Sequence, residues 1–555
     1  MTVTHQRQAE QWLAQDPDPE TRAELKALLD AGDGAELARR FSGRLQFGTA
    51  GLRGELGAGP TRMNRVTVMR AAAGLASWLP DGSTVVVGHD ARYRSADFAH
   101  DTAAVLTGAG HRALLLPGPL PTPVLAYTVR AHGADAGVMV TASHNPPRDN
   151  GYKVYVGGAA DVAGSQIVPP VDTEISAAID AVGSVADLPL RTDYTVLGPE
   201  AVDDYVAAVA ALPLGAARDL FVTYTAMHGV GTAVLLAAFE RAGFAPPRLV
   251  PEQADPDPDF PTVAFPNPEE PGAMDLALAA GQLHGSDLIL ANDPDADRVA
   301  VALPGHGLLT GDEVGGLLAE HVLARTTGAD RLVAASIVSA SLLPKIAAGH
   351  GVHFSETLTG FKWLVRAGGY DELGRPLRNV FCYEEALGYC VSGDEGRPVA
   401  DKDGISAALA LASLAAEAKQ EGRTLLDLLD DQARRYGLHL TRQLSVRVSD
   451  LDLLTSTMRG LRSRPPLTFG ELRVDAVEDF AEGRGALPPT DALRYRLNGP
   501  LRATVTLRPS GTEPKLKAYL EVVLADPGED VPAARRAAEV WLEALHEAVA
   551  ALIRG

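Results

Sequence analysis

The sequence predicts several related α/β domains followed by a smaller α+β domain at the C-terminus. The chain has 555 residues, more than one hydrophobic core accommodates. Over most of its length one pattern recurs: a short buried strand ends in a polar loop, and a helical pattern of small apolar residues follows. Strands that alternate with helices indicate largely parallel sheets. In the last hundred-odd residues, apolar and polar positions alternate as in half-exposed antiparallel strands.

The elements can be predicted in order along the chain. The first forty residues are predicted to be helical, with Asp18 as an N-cap, Pro19 at the first helical position and Gly32 ending the pattern. The alanine-rich run at 404–416 is predicted to be a packed helix. Buried strands that lead into polar loops are predicted at 84–87, 136–140, 220–224, 288–290, 332–335 and 380–382.

The C-terminal domain is predicted from two alternating runs that follow Gly437, Leu444-Val446-Val448 and Ala503-Val505-Leu507. The proline-rich stretches at 251–271 and 465–466 are predicted to be loops. We therefore place four domains at residues 1–200, 201–315, 316–437 and 438–555. In this division, each domain carries one of the polar motifs considered next.

Composition excludes several classes of protein. Lys and Arg total 50 against 71 Asp and Glu, a net charge of −21, which disfavours nucleic acid and anionic membrane surfaces as partners. The two cysteines, Cys382 and Cys390, give neither a disulfide framework nor a CxxC metal pair. The N-terminus has no signal pattern, and no apolar stretch reaches the ~18–20 residues that span a bilayer. We expect a cytoplasmic protein.

The loop Thr141-Ala142-Ser143-His144-Asn145-Pro146-Pro147 follows the predicted strand at 136–140. Open α/β folds place their chemistry in polar loops at strand ends. Ser143 is the only residue of nucleophilic type in the loop apart from Thr141 at its start, His144 is its neighbour, and Lys153 lies ten residues downstream. An ordinary Asn-Pro turn is the alternative, and by itself the loop would favour it.

The segment Asp293-Pro294-Asp295-Ala296-Asp297-Arg298 lies between predicted strands at 287–291 and 299–303. Carboxylates at alternate positions of an extended backbone point the same way, and hard oxygen donors suit Mg²⁺. An EF-hand is excluded because its sixth position would be Arg298 and its twelfth Pro304. A solvated acidic loop is the alternative, but buried strands on both sides favour a metal site.

Other segments have the composition of substrate-binding loops. Arg508, Ser510, Gly511 and Thr512 follow an alternating strand, and they offer a bidentate cation, two hydroxyls and a backbone N–H to a phosphate. Carboxylates at a strand end could bind sugar hydroxyls, although the acidic N-terminus of a helix is the alternative. A Lys near a Gly could bind an anion, although a surface turn is the alternative. These candidates are Glu384, Thr359, Gly360, Lys402 and Arg53.

These segments complement one another. Phosphoryl transfer needs a nucleophile, a cation that neutralises developing charge, and rigid positioning of the substrate. A nicotinamide or flavin site is disfavoured, because the His228-Gly229-Val230-Gly231 segment lacks the third glycine of a dinucleotide fingerprint.

The motifs FGTAGLRG, TASHNPPRDNGYKVY, NDPDADR, TLTGFKW, EEALGY and RPSGTEPKLK, in this order from Phe47 to Lys517, resemble those of the α-D-phosphohexomutase superfamily. The likeness is greatest to the subgroup of phosphoglucomutases and phosphopentomutases, and it covers nearly the whole chain. It implies an α/β fold with four domains around a central cleft, three related α/β domains plus a smaller C-terminal α+β domain.

The resemblance also implies the role of each motif. Ser143 would be carried as a phosphoserine, and Mg²⁺ would lie on Asp293, Asp295, Asp297 and a phosphoserine oxygen. Lys153 would do acid/base work, with His144 and Arg53 nearby, and Arg298 would hold the transferring phosphoryl group. Substrate binding would fall to Glu384, Lys402, Thr359 and Gly360, and the phosphate clamp to Arg508, Ser510, Gly511 and Thr512.

The activity implied is interconversion of glucose 1-phosphate and glucose 6-phosphate, with glucose 1,6-bisphosphate as activator, by a monomer or homodimer. Many hexose mutases have Ser two residues after the sugar-binding glutamate, where this chain has Ala386. Ribose or deoxyribose phosphates and mannose phosphates therefore remain alternatives. A metal-dependent sugar phosphatase and a non-catalytic sugar-phosphate binding protein are further alternatives.

Overall fold

The computed structural model describes residues 2–48, 51–158, 161–447, 451–509 and 515–554, and it confirms the predicted fold class. The N-terminal helices are α1 (Thr2–Gln15), α2 (Pro19–Ala31) and α3 (Gly34–Phe41). As predicted, Asp18 caps α2 by accepting a hydrogen bond from the N–H of Glu20, and Gly32 ends it with a φ of 63°.

The first sheet has seven strands in the order β1-β5-β4-β2-β3-β7, with β6 beside β5. The neighbours β4, β2, β3 and β7 run parallel to one another. Strand β5 pairs antiparallel with both β4 and β1. The strands are β1 (Leu52–Glu55), β2 (Thr84–His89), β3 (Arg112–Pro119), β4 (Ala136–Val140), β5 (Asp149–Val156), β6 (Ser165–Gln166) and β7 (Thr195–Val196). The helices are α4 (Arg65–Trp78), α5 (Ser95–Gly108), α6 (Thr122–Ala131) and α7 (Val171–Ala181), followed by a 3₁₀ turn (Val185–Asp187).

The second sheet has five strands in the order β12-β11-β10-β8-β9. The pairs β10–β8 and β8–β9 are parallel and the others antiparallel. The strands are β8 (Val222–Thr225), β9 (Arg248–Leu249), β10 (Leu288–Asn292), β11 (Val299–Leu303) and β12 (Gly307–Leu308). The helices are α8 (Glu200–Ala210), α9 (Gly231–Arg241) and α10 (Asp275–His284), with a 3₁₀ turn at Pro251–Gln253.

The third sheet has four strands in the order β14-β13-β15-β16, and its last pair is antiparallel. The strands are β13 (Arg331–Ser336), β14 (His353–Thr357), β15 (Arg378–Glu384) and β16 (Gly388–Val391). The helices are α11 (Gly311–Leu323), α12 (Leu343–Gly349), α13 (Phe361–Leu364), α14 (Gly404–Gln420) and α15 (Leu425–Tyr436). Helix α14 is buried along most of its length, as predicted for the alanine-rich run.

The fourth sheet is wholly antiparallel, in the order β17-β22-β21-β20-β19-β18, which confirms an α+β domain at the C-terminus. The strands are β17 (Leu438–Arg447), β18 (Thr468–Phe469), β19 (Leu472–Asp479), β20 (Leu493–Asn498), β21 (Arg502–Pro509) and β22 (Lys515–Leu524). The helices are α16 (Leu451–Ser463) and α17 (Val531–Arg554).

The prediction of largely parallel sheets is right for the centre of the first three sheets and wrong at one edge of each. In every one, a parallel strand passes through a short polar loop into an antiparallel neighbour: β4 into β5, β10 into β11, and β15 into β16. A short loop permits only a hairpin return, because a parallel crossover needs a dozen or more residues. The predicted strand at 220–224 begins two residues late, at Val222.

The domain boundaries remain predictions. The boundary at 437/438 falls between α15 and β17, and the one at 200/201 falls at the first turn of α8. The boundary at 315/316 lies inside α11, which is a single helix whose N-cap Thr310 forms a capping box with Glu313. Because a capped helix packs as one unit, we propose to move that boundary to 309/310.

One hydrophobic cluster, whose members include Met139, Leu290 and Tyr383, spans the three α/β domains, and the first domain has a second cluster that includes Val138. The C-terminal domain has its own core and contacts the third domain through a smaller cluster that includes Val338 and Tyr519. A cavity of about 500 Å³ lies where the second, third and fourth domains meet. Within the described residues, no helix has the length and apolar character to cross a membrane.

Candidate active site

The three hairpin loops of the α/β domains carry the predicted site residues. The first loop holds Ser143 and the second holds the three aspartates, and the two loops meet across the interface between the first and second domains. We call the group formed by Ser143, Lys153, Asp293, Asp295 and Asp297 the transfer corner. Each of its side chains is at most 1% exposed.

Ser143 lies in a strained loop that a buried arginine holds in shape. Its φ is 53°, a left-handed value that a residue with a side chain rarely adopts and that is frequent at functional sites. Its N–H donates to Thr141 Oγ1 at 2.8 Å. The guanidinium of Arg92 donates to four carbonyl oxygens of the loop: Pro146 (2.8 Å), Asp149 (3.2 Å), Ser143 (2.6 Å) and Asn145 (2.6 Å).

The hydroxyl of Ser143 faces the aspartate loop. Its Oγ donates to Asp293 Oδ2 at 2.7 Å and lies 3.1 Å from His144 Nδ1. Burial lowers the pKa of His144 well below its ordinary value, and the cations Arg298 and Arg53 add to that effect. These effects favour the neutral form of the His144 imidazole beside the serine.

The aspartate loop is a turn, so the predicted extended backbone was wrong. The N–H of Ala296 donates to Asp293 O at 2.8 Å, and Ala296 has a φ of 53°. The turn folds the chain back on itself, and the carboxylates converge for that reason. One oxygen from each of the three aspartates lies within 4.8 Å of the others, so the predicted convergence is confirmed.

Lysine cations compensate the three buried carboxylates. Lys153 Nζ donates to Asp295 Oδ2 at 2.7 Å and to Asp297 Oδ2 at 2.9 Å. Lys402 Nζ lies 3.3 Å from Asp297 Oδ2. Burial opposes ionisation of Asp295, but Lys153 overcomes it and holds the pKa of Asp295 below its ordinary value. Burial and the two neighbouring carboxylates raise the pKa of Asp293.

The same carboxylates have free oxygens that fit a divalent cation. Asp295 Oδ1 and Asp297 Oδ1 are buried, and neither has a hydrogen-bond partner among the residues that the structure describes. A buried oxygen without a partner is costly unless a cation or water satisfies it. Because Lys153 and Lys402 occupy Oδ2 atoms, the Oδ1 atoms remain available, and the donor set of oxygens suits Mg²⁺.

Two arginines border the transfer corner. Arg298 donates from Nη1 to Ala386 O in the third hairpin loop at 2.9 Å, and its N–H donates to Asp293 Oδ1 at 3.1 Å. Its Nε is buried without a hydrogen-bond partner in the described part of the chain. Arg53 lies on β1 and donates to Asn145 Oδ1 at 3.1 Å. The guanidinium of Arg53 thus contacts the serine loop, and that of Arg298 links the aspartate loop to the third hairpin loop.

The third hairpin loop places Glu384 next to the transfer corner. A Cβ on Gly388 would lie 2.4 Å from Lys402 Cδ and 3.0 Å from Glu384 Oε1. Glycine is therefore needed where these two side chains pack over the backbone. Since Lys402 also contacts Asp297, it joins the glutamate loop to the aspartate loop.

The remaining predicted residues lie farther along the same surface. Gly360 is the N-cap of α13, and the ring of Phe361 lies 5.6 Å from Lys402 Nζ. Thr359 is half-buried in the preceding loop. Arg508 lies on β21 opposite Lys517 of β22. The clamp residues Ser510, Gly511 and Thr512 lie outside the described residues.

Sequence reasoning missed two residues that build the site. Arg92 shapes the serine loop, as described above. Thr122, at the start of α6, donates to Asp295 Oδ2 at 2.6 Å, and its N–H donates to Asp295 O at 2.9 Å. A signal was present, because both residues follow parallel strands of the first sheet, β2 and β3, whose ends meet the serine loop.

Comparison with known proteins identifies the family of each α/β domain. Residues 44–185 match the model for phosphoglucomutase/phosphomannomutase alpha/beta/alpha domain I. Residues 203–306 and 310–436 match the models for domains II and III of the same proteins.

Relatives match nearly the whole chain. A probable phosphomannomutase of Haemophilus influenzae is 44% identical over 474 residues, covering 84% of this chain and 94% of that protein. A phosphopentomutase of Mus musculus is 34% identical over 576 residues, covering 94% and 90%. A glucose 1,6-bisphosphate synthase of Homo sapiens is 33% identical over 587 residues, covering 97% and 93%.

The fold is also found in a crystal structure of a putative phosphomannomutase from Thermus thermophilus. The two chains superpose with a TM-score of 0.68 at 24% identity, covering 92% of this chain and 99% of that one. The three domain matches and the relatives show that this protein belongs to the phosphoglucomutase/phosphomannomutase family of the α-D-phosphohexomutase superfamily.

Proposed function

We propose that this chain is a mutase that moves a phosphoryl group between two hydroxyls of one sugar phosphate, with Ser143 as the phosphoryl carrier. One observation carries the proposal: the hydroxyl of Ser143 lies 2.7 Å from Asp293 Oδ2. The serine is held in a strained loop and is surrounded by buried cations. A nucleophile held rigidly beside charge-neutralising groups is what phosphoryl transfer requires.

In the proposed first step, the bond between phosphorus and Ser143 Oγ breaks while a bond to a free sugar hydroxyl forms. The proton of that hydroxyl ends on Ser143 Oγ, and Lys153 and His144 are the side chains placed to relay it. The sugar then carries two phosphoryl groups and turns around in the cleft. In the second step the other phosphoryl group passes to Ser143 Oγ, and the proton returns to the sugar oxygen.

Mg²⁺ fits the carboxylate oxygens of Asp293, Asp295 and Asp297, with a phosphoserine oxygen completing the set. When bound it would neutralise charge on the transferring phosphoryl group. Arg298 lies against the same loop with its buried Nε available to a phosphoryl oxygen. Arg53, half-buried on β1, supplies a second guanidinium, and Lys153 keeps the carboxylates compensated before substrate arrives.

Substrate binding is assigned to the third and fourth domains. We propose that Glu384 and Lys402 bind the sugar, with the loop at Thr359 and Gly360 closing over it. Arg508, Ser510, Gly511 and Thr512 would clamp the phosphate that is not being transferred. Glucose 1,6-bisphosphate would act as an activator by phosphorylating Ser143. The protein is expected to work in the cytoplasm as a monomer or homodimer.

The sugar is the finer part of the proposal. Glucose 1-phosphate is the substrate that the motif resemblance favours. The names of the relatives support mannose and pentose phosphates equally, and Ala386 offers no hydroxyl with which to select a hexose. We therefore propose that glucose, mannose and ribose 1-phosphates be treated as candidate substrates of one transfer mechanism.

A coupled assay with Mg²⁺ and a trace of glucose 1,6-bisphosphate tests the proposal on these three sugar phosphates. We expect turnover of at least one without net release of phosphate. Stoichiometric release of inorganic phosphate would instead identify a phosphatase, and binding without turnover would identify a non-catalytic protein.

A further inference from the structure

A loop of the second domain adds a carboxylate to the cleft that neither the motifs nor the family resemblance assign. The loop Pro266-Asn267-Pro268-Glu269-Glu270 precedes α10. Its two prolines are buried, whereas Glu269 and Glu270 are exposed. The N–H of Glu269 donates to the Asn267 side chain at 3.2 Å, and the N–H of Glu270 donates to Asn267 O at 3.0 Å. Buried prolines and an Asn turn therefore fix where Glu269 points.

Glu269 lies at the cavity where the second, third and fourth domains meet. Its side chain is 37% exposed, and its Oε2 lies 4.0 Å from Arg298 Nη1. It lines the cavity of about 500 Å³ together with Glu385, Leu387 and Tyr519. The side chain thus combines access to solvent in the cavity with surroundings contributed by three domains.

The neighbours of Glu269 are the groups proposed to bind substrate. Partial desolvation in the cavity raises the pKa of Glu269, Arg298 and Lys517 oppose that shift, and Glu384 adds to it. Lys517 stands opposite Arg508 on the phosphate-binding strands. Glu269 therefore lies near Arg298 of the aspartate loop, Glu384 of the third domain and Lys517 of the fourth domain.

Among the residues that the structure describes, the side chain of Glu269 is held only by a long contact with Arg298. Its nearest cation, Arg298, is at the limit of ion-pair distance, and Arg298 already donates to Ala386 O. A carboxylate fixed by its loop, accessible in a cavity and bound weakly by the protein has acceptor capacity to offer a ligand. Its acceptor capacity matches the hydroxyl groups of a sugar, which donate hydrogen bonds.

We propose that Glu269 is a specificity-determining residue that accepts a hydrogen bond from one ring hydroxyl of the sugar phosphate. This inference rests on the proposed mutase function. Together, Glu269 and Glu384 present carboxylates from two domains to one sugar. A site built to bind a hydroxyl discriminates against sugars that lack it or present it differently, because the acceptor is then left unpaired inside the occupied site.

The test measures kcat/KM of the wild type, Glu269→Ala and Glu269→Gln, with Glu270→Gln as matched control on the same loop. The substrates are the preferred sugar phosphate and its monodeoxy analogues. We expect Glu269→Ala to lower kcat/KM of the preferred sugar about 10–100-fold and Glu269→Gln to lower it less, since an amide oxygen still accepts. One deoxy analogue should lose activity in the wild type but lose no more in Glu269→Ala. The control should match the wild type.

Two failures can be told apart. A wild type that turns over none of the sugar phosphates contradicts the proposed function itself. A wild type that is active, while Glu269→Ala lowers kcat/KM of every analogue by the same factor or not at all, overturns the role of Glu269 alone.

Discussion

The transfer corner and the sugar-binding side of the cleft are built in opposite ways. In the transfer corner, every side chain is at most 1% exposed and is held by short hydrogen bonds across the first two domains. On the sugar-binding side, Glu269 is 37% exposed and Glu384, Ala386 and Arg508 are half-buried. That side draws its residues from three domains.

We propose that this difference would allow one transfer mechanism to serve different sugars. Phosphoryl transfer depends on preorganised groups, so the side chains of the transfer corner can move little without loss of rate. Sugar recognition depends on a few hydrogen bonds from accessible side chains, which can change without disturbing the corner. This matches the relatives of this chain, which carry names of mutases for different sugars.

The largest effect is expected from Ser143→Ala, which removes the carrier from the corner. Turnover should fall at least about 10⁴-fold, because the proposed transfer passes through this hydroxyl, while sugar-phosphate binding measured by calorimetry should be retained. Ser176→Ala, a partly exposed serine on α7, is the control and should leave turnover unchanged. Substantial activity of Ser143→Ala would contradict the mechanism.

Asp295→Asn should test whether the transfer corner binds a divalent cation. It replaces a carboxylate whose Oδ1 has no partner in the described structure, so Mg²⁺ affinity should fall about 10–100-fold and chelator-sensitive activity should fall with it. Binding of Mn²⁺ followed by electron paramagnetic resonance measures the affinity directly. Asp275→Asn in the first turn of α10 is the control. Unchanged cation affinity would argue against a metal on this loop.

Lys153→Met should test whether burial in the corner is electrostatically balanced. Removing one partner of a buried ion pair costs about 3–5 kcal/mol, since Asp295 and Asp297 lose their ammonium. The midpoint of thermal denaturation should fall and should recover in part with Mg²⁺. Lys26→Met breaks an exposed pair with Asp30 and should have little effect. No metal-dependent recovery would mean that the carboxylates do not share a cation.

Ala386→Ser should alter the sugar-binding side and leave the corner intact. A hydroxyl added to the third hairpin loop should change the ratio of kcat/KM between glucose 1-phosphate and ribose 1-phosphate by up to about tenfold. Metal affinity and thermal stability should stay the same. Equal changes for both sugars would show that this position affects transfer and not recognition. Ala367→Ser, on the same domain outside the cleft, serves as the control.

The smallest effect is expected from His321, a buried residue with no proposed role in phosphoryl transfer, and it concerns the pH dependence of stability. His321 on α11 is buried, and neither ring nitrogen has a hydrogen-bond partner in the part of the chain described. Burial lowers its pKa to about 3 from 6.5. Between these values the unfolded chain binds a proton that the folded chain does not, so stability falls as the pH drops below 6.5.

The expected slope is about 1 kcal/mol for each pH unit below 6.5. His321→Leu should remove it, as thermal denaturation measured over a pH series would show, while turnover at neutral pH stays the same. His132→Leu, at an exposed position, should keep the slope. A variant with the wild-type pH dependence would mean that another group is responsible.

Much of this arrangement could be predicted from sequence. The strand at 136–140 and the helix capped by Asp18 were predicted because local patterns and turn residues determine them. The convergence of the three aspartates was predicted, although the backbone that achieves it is a turn. The turn could not be predicted from Ala296, because the surrounding structure, and not the alanine itself, imposes its positive φ.

The unpredicted features depend on contacts between distant segments. Arg92 and Thr122 are ordinary loop residues in sequence, and only packing brings them to the serine and aspartate loops. Glu269 lies in a proline-rich stretch that was predicted simply as a loop. Such contacts arise from tertiary packing, which a periodicity analysis does not contain.

The most direct test of the account is to follow the phosphoryl group through Ser143. The protein would be incubated with radiolabelled glucose 1,6-bisphosphate and Mg²⁺, the labelled peptide identified, and the labelled protein then mixed with sugar monophosphate in a rapid-quench instrument. The account predicts label on Ser143 that moves to the sugar at least as fast as turnover. Label on another residue, or label released as inorganic phosphate before reaching the sugar, would contradict it.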